Sequence, residues 1–280
     1  MTIRMLHLKI GSLAACIAVM FSTFAQADPQ PTHPWKSSNS PGLTALSAAS
    51  EMRQFSYVLF WRNDNDATQR MNAVLSETKS QSDVPINTIR VQVTDPSESE
   101  TVEVFGVQRA PLPLIAAVAP NGAVTKAWPL KATAEQLRAG IVSEGTASCL
   151  KAMQDQKLSL VCVSNQQTPH HDEVRLAANG FLADQRFGAA TEVITIDPAD
   201  QREHAFLTSL KISPTSHDSA MVLISPAGQP IAKFTGAVTS AELIAKVESA
   251  QQGCCPGGQC GPNGQCGPGG CCPGGQCAPQ

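Results

Sequence analysis

Sulfur is where this chain concentrates its chemistry. Of ten cysteines, seven crowd residues 254–277 and two, Cys149 and Cys162, stand mid-chain. The segment 253–280 reads GCCPGGQCGPNGQCGPGGCCPGGQCAPQ, with CCPGGQC at 254–260 and again at 271–277 and Cys266 between them. It holds no aliphatic side chain larger than alanine, so it cannot build a core, and any order must come from sulfur. Thiolates on a Gly/Pro chain suit soft ions such as Cu(I) or Zn(II), because soft ligands select soft metals and a pliant chain adapts to their geometry. Cys254, Cys255, Cys260, Cys266, Cys271, Cys272 and Cys277 are therefore the candidate metal ligands. Their spacing is not the paired C-x2-C of a zinc ribbon; the signal is thiol density. In an oxidising compartment the same thiols would instead form disulfides, within the tail or to a neighbouring envelope protein. Their odd number then leaves one over unless Cys149 or Cys162 joins. A third reading is a passive disordered tail. Glycine also recurs at every third position from 258 to 270, a collagen-like period, but five triplets are too few for an isolated triple helix.

Cys149 falls in a helical stretch at 147–153 and Cys162 in an apolar strand, too far apart for a redox motif. A structural disulfide between them would close a 14-residue loop and contribute about 3 kcal/mol. The alternatives are two separate buried thiols acting as small hydrophobes, or a reactive pair. His170-His171, followed by Asp172 and Glu173, is the only histidine pair. It could ligate a divalent metal, or be a solvated loop whose acids favour the helix start through its dipole. No nucleophile-elbow serine, phosphate loop, His-Glu-x-x-His or acid pair is present, so no catalytic residue and no nucleotide or organic cofactor is expected.

The compartment follows from the first residues. Arg4 and Lys9 form a positive n-region, residues 10–24 an apolar h-region, and Ala25-Gln26-Ala27 a small-x-small cleavage site, so 1–27 reads as a signal peptide. Cys16 leaves with it. The apolar stretch is short of the roughly 20 residues of a membrane span, and Asp28-Pro29-Gln30-Pro31 is no stop-transfer sequence. No membrane span is expected after cleavage, and the location is the periplasm, cell envelope or exterior. A net charge of −3 with 15% charged residues and no basic cluster excludes nucleic acid as a partner.

The elements that must position these groups alternate between strand and helix. Residues 28–47, rich in Pro, Ser and Asn, read as a flexible leader. Then come a strand at 56–61 (SYVLFW), a helix at 66–78, a strand at 88–93 (TIRVQV), a strand at 114–118, a hairpin partner at 123–128 and a helix at 133–142. The same grammar repeats as a strand at 158–164, a helix at 173–182, a strand at 191–196, a hairpin of 220–225 with 230–234, and a helix at 239–250. Val93-Thr94-Asp95-Pro96 matches Ile196-Asp197-Pro198, and Ala119-Pro120-Asn121-Gly122 matches Ser225-Pro226-Ala227-Gly228. Both offsets are about 100 residues, which marks an internal duplication.

Phe105-Gly106-Val107-Gln108-Arg109-Ala110-Pro111, leading into a core strand, resembles the proline-bearing segment of thioredoxins, and Phe60-Trp61 resembles the aromatic pair before their redox site. The resemblance covers residues 50–143 well and 156–250 loosely. It implies an α/β fold of two tandem thioredoxin-like domains, each a central mixed sheet flanked by helices, with Pro111 at the family cis-proline position. Thioredoxins open their first long helix with two cysteines separated by two residues, where the helix N-terminus activates the first thiol. Here those places hold Asn65-Asp66-Ala67-Thr68 and the loop 165–171 (NQQTPHH), so neither unit can run that chemistry. No counterpart of the proline stands near Ser216-His217-Asp218. The tail resembles metallothionein-like tracts in composition only.

The expectation is a signal peptide (1–27), a leader (28–47), degenerate thioredoxin-like domains at 48–145 and 146–250, and a disordered Cys/Gly/Pro-rich tail at 251–280. The expected function is non-catalytic binding or scaffolding with a Cu- or Zn-binding tail. The alternatives are an envelope component cross-linked by tail disulfides, and a thiol oxidoreductase using the tail cysteines.

Overall fold

A computed structural model of the chain describes Trp35 and residues 38–215 and 218–252. The expected signal peptide and the tail cysteines 254–277 lie outside the described residues.

The first described element corrects the sequence reading. Residues 41–47, expected to belong to a flexible leader, form most of α1 (Pro41–Glu51). Proline at the first helical position is preset for the helix. Leu43 and Leu46 are fully buried against Val58, Phe60, Ile89 and Val91. The polar composition hid two core residues, and losing one such leucine side chain typically costs about 2–5 kcal/mol.

The chain continues through β1 (Phe55–Trp61), α2 (Asp66–Ser80), β2 (Ile86–Gln92), the short α3 (Ser99–Val104), β3 (Leu114–Val118), β4 (Val124–Pro129) and α4 (Ala134–Arg138). The sheet order is β2-β1-β3-β4, with β1 parallel to β2 and antiparallel to β3, and β4 antiparallel to β3. Both central strands are apolar almost throughout because helices cover both faces. Val58 and Phe60 meet α1 and α3 on one face, while Tyr57 and Leu59 meet Met71, Leu75 and Leu137 of α2 and α4 on the other. Thr133 and Gln136 close a reciprocal capping box at the start of α4.

The second repeat has the same parts. They are α5 (Glu144–Gln154), β5 (Leu158–Val163), α6 (His171–Leu182), β6 (Thr191–Ile196), α7 (His204–Ser209), β7 (Ala220–Ile224), β8 (Pro230–Thr235) and α8 (Ser240–Gln252). Its sheet order, β6-β5-β7-β8, and its strand directions reproduce the first. Again α5 and α7 cover one face and α6 and α8 the other.

The duplication extends to a device invisible in the hydrophobic pattern. A buried carboxylate from the turn after the second strand receives the main-chain N–H at the head of the first helix: Gly42 N donates to Glu98 Oε2 at 3.0 Å, and Gly145 N to Glu203 Oε1 at 2.9 Å. Glycine at both places lets the carboxylate approach closely. A Cβ on Gly42 would stand 2.8 Å from Glu98 Oε2, and one on Gly145 would stand 2.7 Å from Glu203 Oε2.

Candidate functional site

The end of each sheet where the long helix begins is where the fold would place reactive thiols, because unpaired N–H groups and the helix dipole favour an anion there. In the first repeat that helix is α2, and its head is already satisfied. Asn65 Oδ1 accepts from Thr68 N at 3.1 Å, and Thr68 Oγ1 donates to Asn63 O at 2.9 Å. Asn65-Asp66-Ala67-Thr68 is a cap with an acid in the first turn, and none of its four residues is a cysteine.

The head of α6 is built differently. Asn165 Oδ1 accepts from the main-chain N–H groups of Gln167 and Thr168, which folds the loop on itself. His170 occupies the cap position with φ 60°, a left-handed conformation uncommon outside glycine but one in which histidine, like asparagine and aspartate, is enriched. Its Nδ1 lies 3.5 Å from Glu173 Oε1, whereas His171 Nδ1 lies 3.2 Å from Ser164 Oγ. The histidine pair is thus divided between two partners, and no group of three potential metal ligands forms among the described residues.

The proline expectation is corrected by two residues. The cis peptide is Leu112–Pro113, directly before β3, and not the bond to Pro111. Two prolines flank one leucine here, and the strand entry takes the second. Pro113 O accepts from Leu130 N at 2.7 Å. The second repeat places Ser219 before β7, with Ser219 O accepting from Gly236 N at 2.8 Å. Gly236 has φ 80°, while Leu130 holds the same left-handed turn at φ 66° with its side chain 55% exposed. Pro226-Ala227-Gly228 and Pro120-Asn121-Gly122 turn the two hairpins as the sequence implied, each with its glycine at positive φ.

The Cys149–Cys162 disulfide is also corrected: both are free, buried thiols. Cys162 packs with Leu160, Val174, Phe181 and Met221 under α6 and α8, whereas Cys149 lies in the cluster of Val161, Val163, Ile196 and Phe206 on the α5 side. Successive strand residues alternate faces, so the sheet separates the two sulfurs. Burial pushes the Cys162 thiol up to about 12. Burial likewise raises Cys149 to about 11, with the Glu203 carboxylate pushing the same way and Ser159 opposing. Neither is a nucleophile at neutral pH.

Sequence reasoning missed Glu98 and Glu203. In the first repeat Glu98 Oε2 also accepts from Ser40 Oγ at 2.9 Å and Thr101 Oγ1 at 2.8 Å. In the second, Phe206 lies over the same helix head, Ser143 Oγ turns to Thr146, and Glu203 Oε2 is buried without a partner among the described residues. The signal was available as Ser40-Pro41-Gly42 against Ser143-Glu144-Gly145, at the same offset as the other tie points.

No protein-family profile and no curated protein matches the chain. Similar solved structures include thioredoxin O2 from Arabidopsis thaliana in its oxidised state, 16% identical, covering 36% of this chain and 84% of that one with a TM-score of 0.30. The first two thioredoxin domains of Saccharomyces cerevisiae Eps1p are 11% identical, covering 80% and 98% with a TM-score of 0.26. Human ERp44 is 10% identical, covering 82% and 61% with a TM-score of 0.33. These likenesses concern the fold alone. Strand order, strand direction and helix placement agree in both repeats. The chain folds as two tandem domains of thioredoxin-like topology, and neither opens its long helix on a cysteine pair.

Proposed function

We propose that this is an exported, non-catalytic binding protein whose domains serve as contact modules and whose C-terminal tail sequesters or relays a soft metal ion, Cu(I) or Zn(II). The observation that carries the reading is the distribution of usable sulfur. Asn65 caps the head of α2 and His170 stands at the head of α6 where thiols would be needed, and the two described cysteines are buried with thiols pushed to about 11 and about 12. Nucleophilic and metal-binding sulfur is then left to the seven cysteines of 254–277, where CCPGGQC is written twice. Gly/Pro spacing lets such thiolates close around an ion of either preferred geometry.

The test is elemental analysis beside free-thiol counting on anaerobically purified mature protein, with and without residues 253–280. Stoichiometric Cu or Zn that disappears on truncation supports the reading. Absence of metal, few free thiols and oligomers that collapse under reductant would replace it with a disulfide cross-linker to an envelope partner. Exchange of the tail with a model dithiol at catalytic rates would replace it with an oxidoreductase.

A further inference from the structure

A cleft in the first domain lies outside the helix heads and the tail. It runs between α2 and β2, and β2 is an edge strand that pairs only with β1. One face of α2 overhangs it, and Thr88 and Arg90, two apart and so on the same side of the strand, face the helix. The space is about 460 Å³, in the range of small-ligand sites, and Leu75 gives it an apolar wall.

Its polar groups are lopsided. No carboxylate lines it. Lys79 has no carboxylate partner among the described residues, and Arg90 has only Asp64, 3.9 Å away with both side chains about half exposed. A pair of that kind contributes little. The Arg90 guanidinium lies 5.2 Å from the centre of the Trp61 ring, which holds it in one place. The Trp61 indole N–H is itself buried with no acceptor among the described residues. Ser76 and Ser80 turn their hydroxyls back to the helix carbonyls of Asn72 and Glu77, so their protons are spent. Unused donors remain on Lys79, Arg90, Asn72 and Thr88, in a chain whose net charge is −3. The fold does not demand them: strand register places Val193 and Thr195 of β6 where Thr88 and Arg90 stand.

We propose that this cleft binds a small anionic ligand through a phosphate or carboxylate group. Arg90 supplies the planar, bidentate donor and Lys79 the point charge. Asn72 and Thr88 add neutral hydrogen bonds.

The test is a titration of the ¹⁵N-labelled mature chain, at low salt, with inorganic phosphate and separately with succinate, followed by amide shifts. Expected are saturable shifts confined to residues 72–80 and 88–90. Arg90→Gln and Lys79→Gln, both at exposed positions, should each weaken binding about tenfold while leaving the rest of the spectrum unchanged. Saturation by phosphate alone assigns a phosphoester, by succinate alone a carboxylate, and either supports the proposal. Non-saturating shifts, saturation elsewhere, or equal affinity in both variants overturns it. Saturable binding of a polyglutamate peptide alone would overturn it too, making β2 a peptide-pairing edge.

Discussion

Cys162 shows how a residue suited to reactivity becomes inert. It sits in the interior strand β5 with apolar neighbours on its own face, and desolvation raises its thiol from about 9 to about 12. A raised folded value means the neutral thiol stabilises the native state fully below the unfolded value. That contribution is lost as pH climbs through the folded one, because the unfolded chain ionises first. The expected result is a loss of stability from about pH 9 upward, of which Cys162 accounts for about 2 kcal/mol near pH 10.5. Urea unfolding of wild type and Cys162→Ala across that range checks it. Although the variant is less stable at neutral pH through its small cavity, it should decline less steeply above pH 9. Parallel curves would mean the thiol is solvated and the burial argument wrong.

At the scale of elements, α1 and α5 are the same helix used twice, each held at its head by a buried carboxylate with different support. Glu98 receives Ser40, Gly42 and Thr101, whereas Glu203 receives Gly145 alone and leaves one oxygen unpaired. Removing an acceptor strands its buried donors at about 1–3 kcal/mol each, and removing an unpaired polar atom relieves a cost. Glu98→Ala should therefore destabilise by about 3 kcal/mol and Glu203→Ala by about 1 kcal/mol, read from chemical denaturation; equal losses would refute the assignment. The legibility of these elements divides along the same physical line. Strands such as β3 and β6, and the hairpin turns, were visible because apolar runs and Pro-x-Gly turns are local signals. The start of α1 was not, because only Leu43 and Leu46 of its first turns are large and apolar, and what fixes them is a carboxylate more than 50 residues away. Pro111 and Pro113 were separable only by register, and the faces of Cys149 and Cys162 only by which helix packs on β5. At the helix heads, the missing thiols were legible outright. The cationic cleft was not, since Lys79 and Arg90 are ordinary surface residues until α2 is laid over β2.

For the whole molecule, α5 decides whether two domains behave as one. Its Gly145, Cys149 and Ala152 are buried toward the second domain, and Cys149 belongs to that core. Ala147 and Leu150, on another face, pack with Phe55, Ala119 and Ala123 of the first domain. Gln154 completes the contact by pairing with the main chain of the edge strand β4: its Oε1 accepts from Val124 N at 3.0 Å and its Nε2 donates to Val124 O at 2.7 Å. The side-chain amide thus stands in for a further strand and blunts an edge that would otherwise be open to pairing. A helix that belongs to both cores makes independent unfolding costly, because melting either domain exposes one of its faces. All three tryptophans, Trp35, Trp61 and Trp128, lie in the first domain or the segment leading into it, so fluorescence reports on that half while far-ultraviolet dichroism reports on both. The two signals should coincide in urea for the wild type, as in a two-state transition. Ala147→Glu forces an unpaired carboxylate into the contact and should separate them, the first domain unfolding at lower denaturant, because burying a charge without a partner is far more costly than losing a methyl contact. Separate transitions already in the wild type would mean that α5 touches the first domain without coupling to it.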